Sequence, residues 1–173
     1  MEFQSFQAKG DANIDRAIAL MQEAKTLNPA CSSLIGTLID SLSVAMSYFI
    51  EARDSSGKLC GVLKYDFQDD DGEFVYIWLL CSNCKGTGTA LINKAAEVAR
   101  ENGISQIGLS ATRSSVGFYE KMGFAQMSHV DPADKYVDMR RAVGGRRKTY
   151  RRRKSRRHGS ASLRRHKTRR VLP

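Results

Sequence analysis

Residues 73–99, EFVYIWLLCSNCKGTGTALINKAAEVA, constrain the fold more than any other stretch of the chain. They open on Phe74-Val75-Tyr76-Ile77-Trp78-Leu79-Leu80, an apolar run rich in β-branched and aromatic types, which reads as a strand buried on both faces. A short loop with Gly86 and Gly88 follows, and then Leu91, Ile92, Ala95, Ala96 and Ala99 recur at helical spacing. Strand, glycine-bearing loop, helix is an order that aims the helix's first free N–H groups, and the positive end of its dipole, at whatever occupies the loop. The two glycines let phosphates approach the main chain where a Cβ would obstruct them. The stretch predicts an anion site.

That site is not a general nucleotide cradle. A dinucleotide fingerprint needs a third glycine, and Leu91 stands in its slot; the Walker pattern is absent as well. From these residues alone a second reading stays open, a tight strand-to-helix turn with no ligand. Further along, the helix is expected to stop at Asn102-Gly103, with the glycine in the left-handed region. A strand over Gln106–Ser110 follows, and then Ser115-Val116-Gly117-Phe118-Tyr119-Glu120-Lys121-Met122-Gly123-Phe124.

Here the chain resembles the GNAT superfamily of acetyl-CoA-dependent N-acetyltransferases. Asn83-Cys84-Lys85-Gly86-Thr87-Gly88 matches the family's phosphate-loop pattern Q/R-x-x-G-x-G/A except at its first position. Residues 115–124 match the later pattern A-x-x-F-Y-x-x-x-G-F, and FYEKMGF is the more specific part. The resemblance is strong from Tyr48 to Arg140, loose before that and absent after Ala142. It implies one α/β domain over residues 1–142, a mixed sheet of about six to seven strands flanked by helices, with acetyl-CoA as co-substrate. It also implies that the strands at Phe74 and Gln106 splay apart and admit the pantetheine arm. Main-chain groups of Ile77, Trp78 and Leu79 would pair with that arm, and amides from Cys84 to Thr89 would hold the pyrophosphate, with Lys85 beside it as a point charge. Thr112, Ser115 and Phe118 would complete the cofactor wall, and Tyr119 would protonate the departing thiolate. A phenol, ordinarily titrating near pH 10, is protonated at neutral pH and can donate. The other reading of Tyr119 is a buried aromatic whose hydroxyl finds a backbone partner. Asn83 stands where the family's Gln or Arg is usual, and Thr112 and Ser115 where Asn and Ala are common. Leu80-Cys81-Ser82 replaces a common proline and aromatic at the loop entry.

The remaining elements follow from pattern. Glu2–Lys9 reads as an edge strand, and Ile14, Ala17, Ile18, Met21 and Ala24 as one face of a first helix. A second helix over Ala30–Leu42 is expected to bury Leu34, Ile35, Leu38 and Ile39. Strands over Val44–Arg53 and Leu59–Phe67 flank the turn Ser55-Ser56-Gly57-Lys58, and closing strands are expected over Phe124–His129 and Tyr136–Ala142. The side chain of Trp78 is expected in the core. Cys31, Cys60, Cys81 and Cys84 read as reduced thiols of an intracellular protein; Cys81 and Cys84 form C-x-x-C, but no partner pair stands at zinc spacing. No metal is expected.

Charge divides the chain in two. Residues 143–173 hold 14 of the 28 Lys and Arg and no acid, while the other 14 basic residues sit with all 18 acids in residues 1–142, leaving that part at −4. So dense a basic segment, with so little to bury, is expected to be disordered by itself. Tracts such as Arg151-Arg152-Arg153-Lys154 suit DNA or RNA phosphates, and also nuclear or nucleolar import. A tail folded back on the acidic globule is the alternative. No apolar run approaches the ~18 residues of a membrane span, and MEFQSFQAKGD lacks the basic start and apolar centre of a secretory signal, so neither is expected.

For the base that takes the amine's proton, Glu73 is the first candidate, with Asp66 and His129 behind it. The turn Asp69-Asp70-Asp71 could attract a cationic acceptor, or be only a solvated hairpin tip. Two functions follow. One is an N-acetyltransferase acting on a primary amine, such as a protein lysine, an N-terminus or a polyamine. The alternative is a scaffold of the same fold that has lost turnover and binds nucleic acid through its tail.

Overall fold

The computed structural model describes residues 1–41, 47–68, 74–127 and 133–144. Its strands are β1 (Glu2–Ala8), β2 (Ser47–Arg53), β3 (Leu59–Gln68), β4 (Phe74–Ser82), β5 (Gln106–Thr112), β6 (Ala125–Gln126) and β7 (Tyr136–Ala142). Its helices are α1 (Asp11–Ala24), α2 (Pro29–Ser41), α3 (Thr87–Glu101) and α4 (Val116–Lys121), the last entered through a 3-10 turn at Arg113–Ser115. The strands form one mixed sheet in the order β1-β2-β3-β4-β5-β7-β6, in which β4 and β5 are parallel and every other neighbouring pair is antiparallel. This is the α/β architecture that the sequence predicts.

Local chemistry sets the boundaries. The β2–β3 hairpin closes on Asp54, whose carboxylate accepts the N–H groups of Ser56 at 2.8 Å and Lys58 at 3.1 Å. The stripe Leu91, Ile92, Ala95, Ala96 and Ala99 of α3 is fully buried. The helix ends as expected, with Gly103 at φ +76° and the Ile104 N–H returning to the Ala99 carbonyl. That stripe meets Ile50, Leu63, Val75, Ile77 and Ile107 in the core on one face of the sheet. On the other face α1 and α2 bring Ala17, Met21 and Ile35 against Phe49, Val62 and Leu79. Each Val, Leu, Ile, Phe or Met side chain removed from water here stabilises the fold by about 1.5–3 kcal/mol, and each alanine methyl by less.

Three expectations need correction. First, β4 is not buried on both faces. A bulge opposite Lys64 and Tyr65 pairs Tyr65 with Ile77 and Lys64 with Leu79, leaving Trp78 as the extra residue. Val75 and Ile77 therefore face α3, whereas Leu79 and Cys81 face α1 and α2. Trp78 is 45% exposed rather than packed in the core. Second, Leu34 on α2 is 40% exposed, because it lies over a cavity beside β4 rather than on the sheet.

Third, the cysteines are paired, Cys31 with Cys81 and Cys60 with Cys84, at Cα separations of 6.0 and 5.3 Å. The fold supplies the proximity: Cys81 turns toward α2 after the bulge, and the β3–β4 register brings residue 60 beside the start of the phosphate loop. Positions 50 and 24 apart in sequence give no sign of this. Of the closing strand expected over Phe124–His129, the described part is β6, with Ser128 and His129 outside the described residues.

Candidate active site

The site begins where the sheet forks. The β4–β5 ladder runs only from Phe74↔Gln106 to Ile77↔Leu109. Beyond it β4 stays with β3 as far as Ser82, and β5 stays with β7 as far as Thr112. The facing edges of Trp78–Ser82 and Ser110–Thr112 are thus unpaired with each other, which leaves main-chain groups open to a ligand running between the strands. A cavity of about 280 Å³ fills the fork, walled by Ile77, Trp78, Leu79, Ser110, Thr112 and Tyr119 among others. Ile77 is the last residue in register with β5, so the open edge starts at Trp78.

At the head of the fork stands the phosphate loop. Gly86 caps α3 at φ +82°, a conformation that side chains disfavour. The helical ladder begins with the Ala90 N–H bonding to the Gly86 carbonyl at 3.0 Å, so the amides of Gly88 and Thr89 precede it. Both residues line a second cavity of about 310 Å³, together with Ser82, Cys84, Ser115, Phe118 and Tyr119. Gly88 is required for space: a Cβ there would meet Ser82 Oγ at 3.2 Å and the Phe118 ring at 3.5 Å. Thr87 has a different place from the one expected. It is fully buried, and its N–H bonds to the Cys84 carbonyl, so it braces the loop from below. Asn83 and Lys85 are exposed at the loop's rim, and the Asn83 N–H ties back to Cys60 of β3 at 3.1 Å.

Tyr119 on α4 lines both cavities and so stands where the phosphate seat meets the fork. Its ring lies edge-on to Phe118 and Phe124, at centroid distances of 5.1 and 5.7 Å. Burial pushes its phenol up to about 12. No described residue takes a hydrogen bond from its hydroxyl. Thr112 and Ser115 bond one another, Oγ1 to Oγ at 2.9 Å, and fix the turn that leads into α4.

Of the base candidates only Asp66 lies among the described residues. Glu73, His129 and Asp69-Asp70-Asp71 lie outside the described residues. Asp66 lies opposite Tyr76 in the β3–β4 register and lines neither cavity. Burial pushes its carboxyl up, against the pull of the Lys64 ammonium 3.9 Å away and of the Trp78 and Ser47 side chains. Desolvation pushes Lys64 down in turn. Ser82 is a wall residue that sequence reasoning missed; only its distance from Gly88 signals it.

A forked sheet, a glycine-bearing helix start at its head and a protonated phenol where they meet define an acyltransferase that works on a coenzyme A thioester. Known proteins bear this out. The acetyltransferase (GNAT) family matches residues 19–124, and the chain belongs to it, an acyltransferase domain with acetyl-CoA as co-substrate. The uncharacterized protein YxbD of Bacillus subtilis is 35% identical over 74 residues, which are 41% of this chain and 46% of that protein, so the match spans about half of the relative. The catalytic domain of the Tetrahymena GCN5 histone acetyltransferase, solved in complex with coenzyme A, is 15% identical with a TM-score of 0.58, over 83% of this chain and 93% of that one. An aminoglycoside 6'-acetyltransferase of type Ii is 18% identical with a TM-score of 0.62, over 84% of this chain and 99% of that one. At those identities the likeness is one of fold. Among the described residues no helix is long and apolar enough to cross a membrane.

Proposed function

We propose that this chain moves the acetyl group of acetyl-CoA to a primary amine, with residues 1–142 as the working domain. The observation that carries this reading is Tyr119, whose hydroxyl has no described partner and whose ring lines both the phosphate seat and the fork. The pyrophosphate rests on the amides of Gly88 and Thr89, with Lys85 at the rim, and the pantetheine pairs along the open edge from Trp78 to Leu80. The neutral amine attacks the thioester carbon, so that a C–N bond forms and the C–S bond breaks. The thiolate takes its proton from Tyr119, and the nitrogen sheds its own to water. Neighbours named for histone and aminoglycoside acetylation support an amine acceptor.

The test is thermal melting with and without acetyl-CoA. Ligand at about a hundredfold over its Kd should add about 2.7 kcal/mol of stability. A Gly88→Val variant should lose most of that gain, because its side chain enters the seat. Absence of any shift at millimolar ligand would favour the scaffold reading instead.

For residues 143–173 we propose nucleic-acid association through phosphate contacts. A chain ending at Ala142 should keep its acetyl-CoA shift and lose DNA binding. In the full chain that binding should fall about 10³–10⁵-fold between about 50 and 200 mM salt if roughly six to ten phosphates are engaged. DNA affinity that survives the truncation would remove the tail from this role.

A further inference from the structure

Beside the fork lies a third cavity of about 350 Å³, which shares Leu109 and Ser110 with it. Its wall carries one acid and one base, Asp138 and Arg140, two residues apart on β7 and on the same side of the strand. The acid is oriented by a hydrogen-bond chain: Ser110 donates to Asp138, and the Tyr76 hydroxyl, 2.7 Å from Ser110 Oγ, donates to Ser110 in turn. The base is held flat, its guanidinium 4.1 Å over the Phe74 ring and donating to Gln106 at 3.4 Å. Only one of its five N–H groups is used there, which leaves others for a carboxylate. The floor between acid and base is Gly108, where a Cβ would meet the Phe74 ring at 3.2 Å and Arg140 Cγ at 3.5 Å. Register orders the two charges. Asp138 pairs with Ser110 at the mouth of the fork, whereas Arg140 pairs with Gly108, two residues further back.

Resting on the acetyltransferase reading, we propose that the acceptor is a zwitterionic amine: its ammonium docks on Asp138 next to the thioester and gives one proton to water there before attacking as the neutral amine, and a carboxylate on its carbon skeleton docks on Arg140. A polyamine would set its second cation against Arg140, and a lysine within a protein lacks the free carboxylate. The nearby Lys64 and Asp66 are occupied with one another at 3.9 Å and line a different part of the sheet. Tyr76 and Ser110 act through Asp138 and are positioning residues.

The experiment uses the full chain and measures thiol release from acetyl-CoA with paired acceptors: lysine against cadaverine, and alanine against alaninamide. The carboxylated member of a pair should have kcat/KM at least about tenfold higher. Arg140→Gln should erase that preference while leaving kcat/KM for the decarboxylated amine within about twofold, and Arg140→Lys should restore part of it. Asp138→Asn should raise KM for both members of a pair about tenfold or more, with KM for acetyl-CoA unchanged. Gly108→Ala, whose Cβ narrows the floor and presses on the Phe74 ring and Arg140 Cγ, should raise KM for the carboxylated amines. Equal or better turnover of cadaverine or a basic peptide, a preference that survives Arg140→Gln, or bound acetyl-CoA with no turnover of zwitterions would each overturn the proposal. Loss of the acetyl-CoA melting shift itself would instead sink the transferase reading beneath it.

Discussion

Replacing Tyr119 by phenylalanine is expected to lower kcat by about a hundredfold or more, the usual loss when a positioned acid is removed. KM for acetyl-CoA should stay within about twofold, because the ring that walls the two cavities is retained. The pH profile provides a second reading. An acid works only while protonated, so it is active below its pKa and lost above it. With the phenol pushed up to about 12, turnover should not fall through pH 9 to 10, where an ordinary tyrosine would titrate. A decline centred near 10 that Tyr119→Phe abolishes would contradict the burial of this hydroxyl. Unchanged kcat in the variant would remove Tyr119 from the chemistry.

How far the sequence foretold this arrangement differs from element to element. The α3 stripe and its stop at Gly103 were legible because periodicity and a left-handed cap are local properties. So was the loop, since Gly86 and Gly88 answer to local geometry and local crowding. The β4 run was not, because a bulge is decided by the neighbouring strand. One extra residue opposite Lys64 and Tyr65 reverses every side chain beyond it, turns Leu79 and Cys81 to the other face and exposes Trp78. Seven apolar letters cannot express that. The chain Tyr76–Ser110–Asp138 was out of reach for the same reason: its members are brought together by register across three strands.

The disulfides test that lesson most severely. Each bond closes a loop in the unfolded chain, of 50 residues for Cys31–Cys81 and 24 for Cys60–Cys84, which on chain-entropy grounds is worth about 3–4 kcal/mol apiece. The paired change of Cys31 and Cys81 to serine is therefore expected to lower Tm by about 10 °C in a domain of this size, and reduction of both bonds by about twice that. The second bond has a functional consequence as well. At the entry to the phosphate loop Leu80-Cys81-Ser82 offers no proline to stiffen the chain, and Cys84 bonded to Cys60 holds the loop to β3 in its stead. Cys60→Ser with Cys84→Ser should thus raise KM for acetyl-CoA several-fold while kcat at saturation changes little. Cys31→Ser with Cys81→Ser should act mainly on stability, and less on KM than the other pair, because that bond ties α2 to β4 and meets the cavities only through Cys31 on their wall. The measurements are melting curves with and without reductant, and acetyl-CoA saturation curves for each pair. Four thiols that alkylate in the native, unreduced protein would show the pairing to be wrong, and with it both expected shifts.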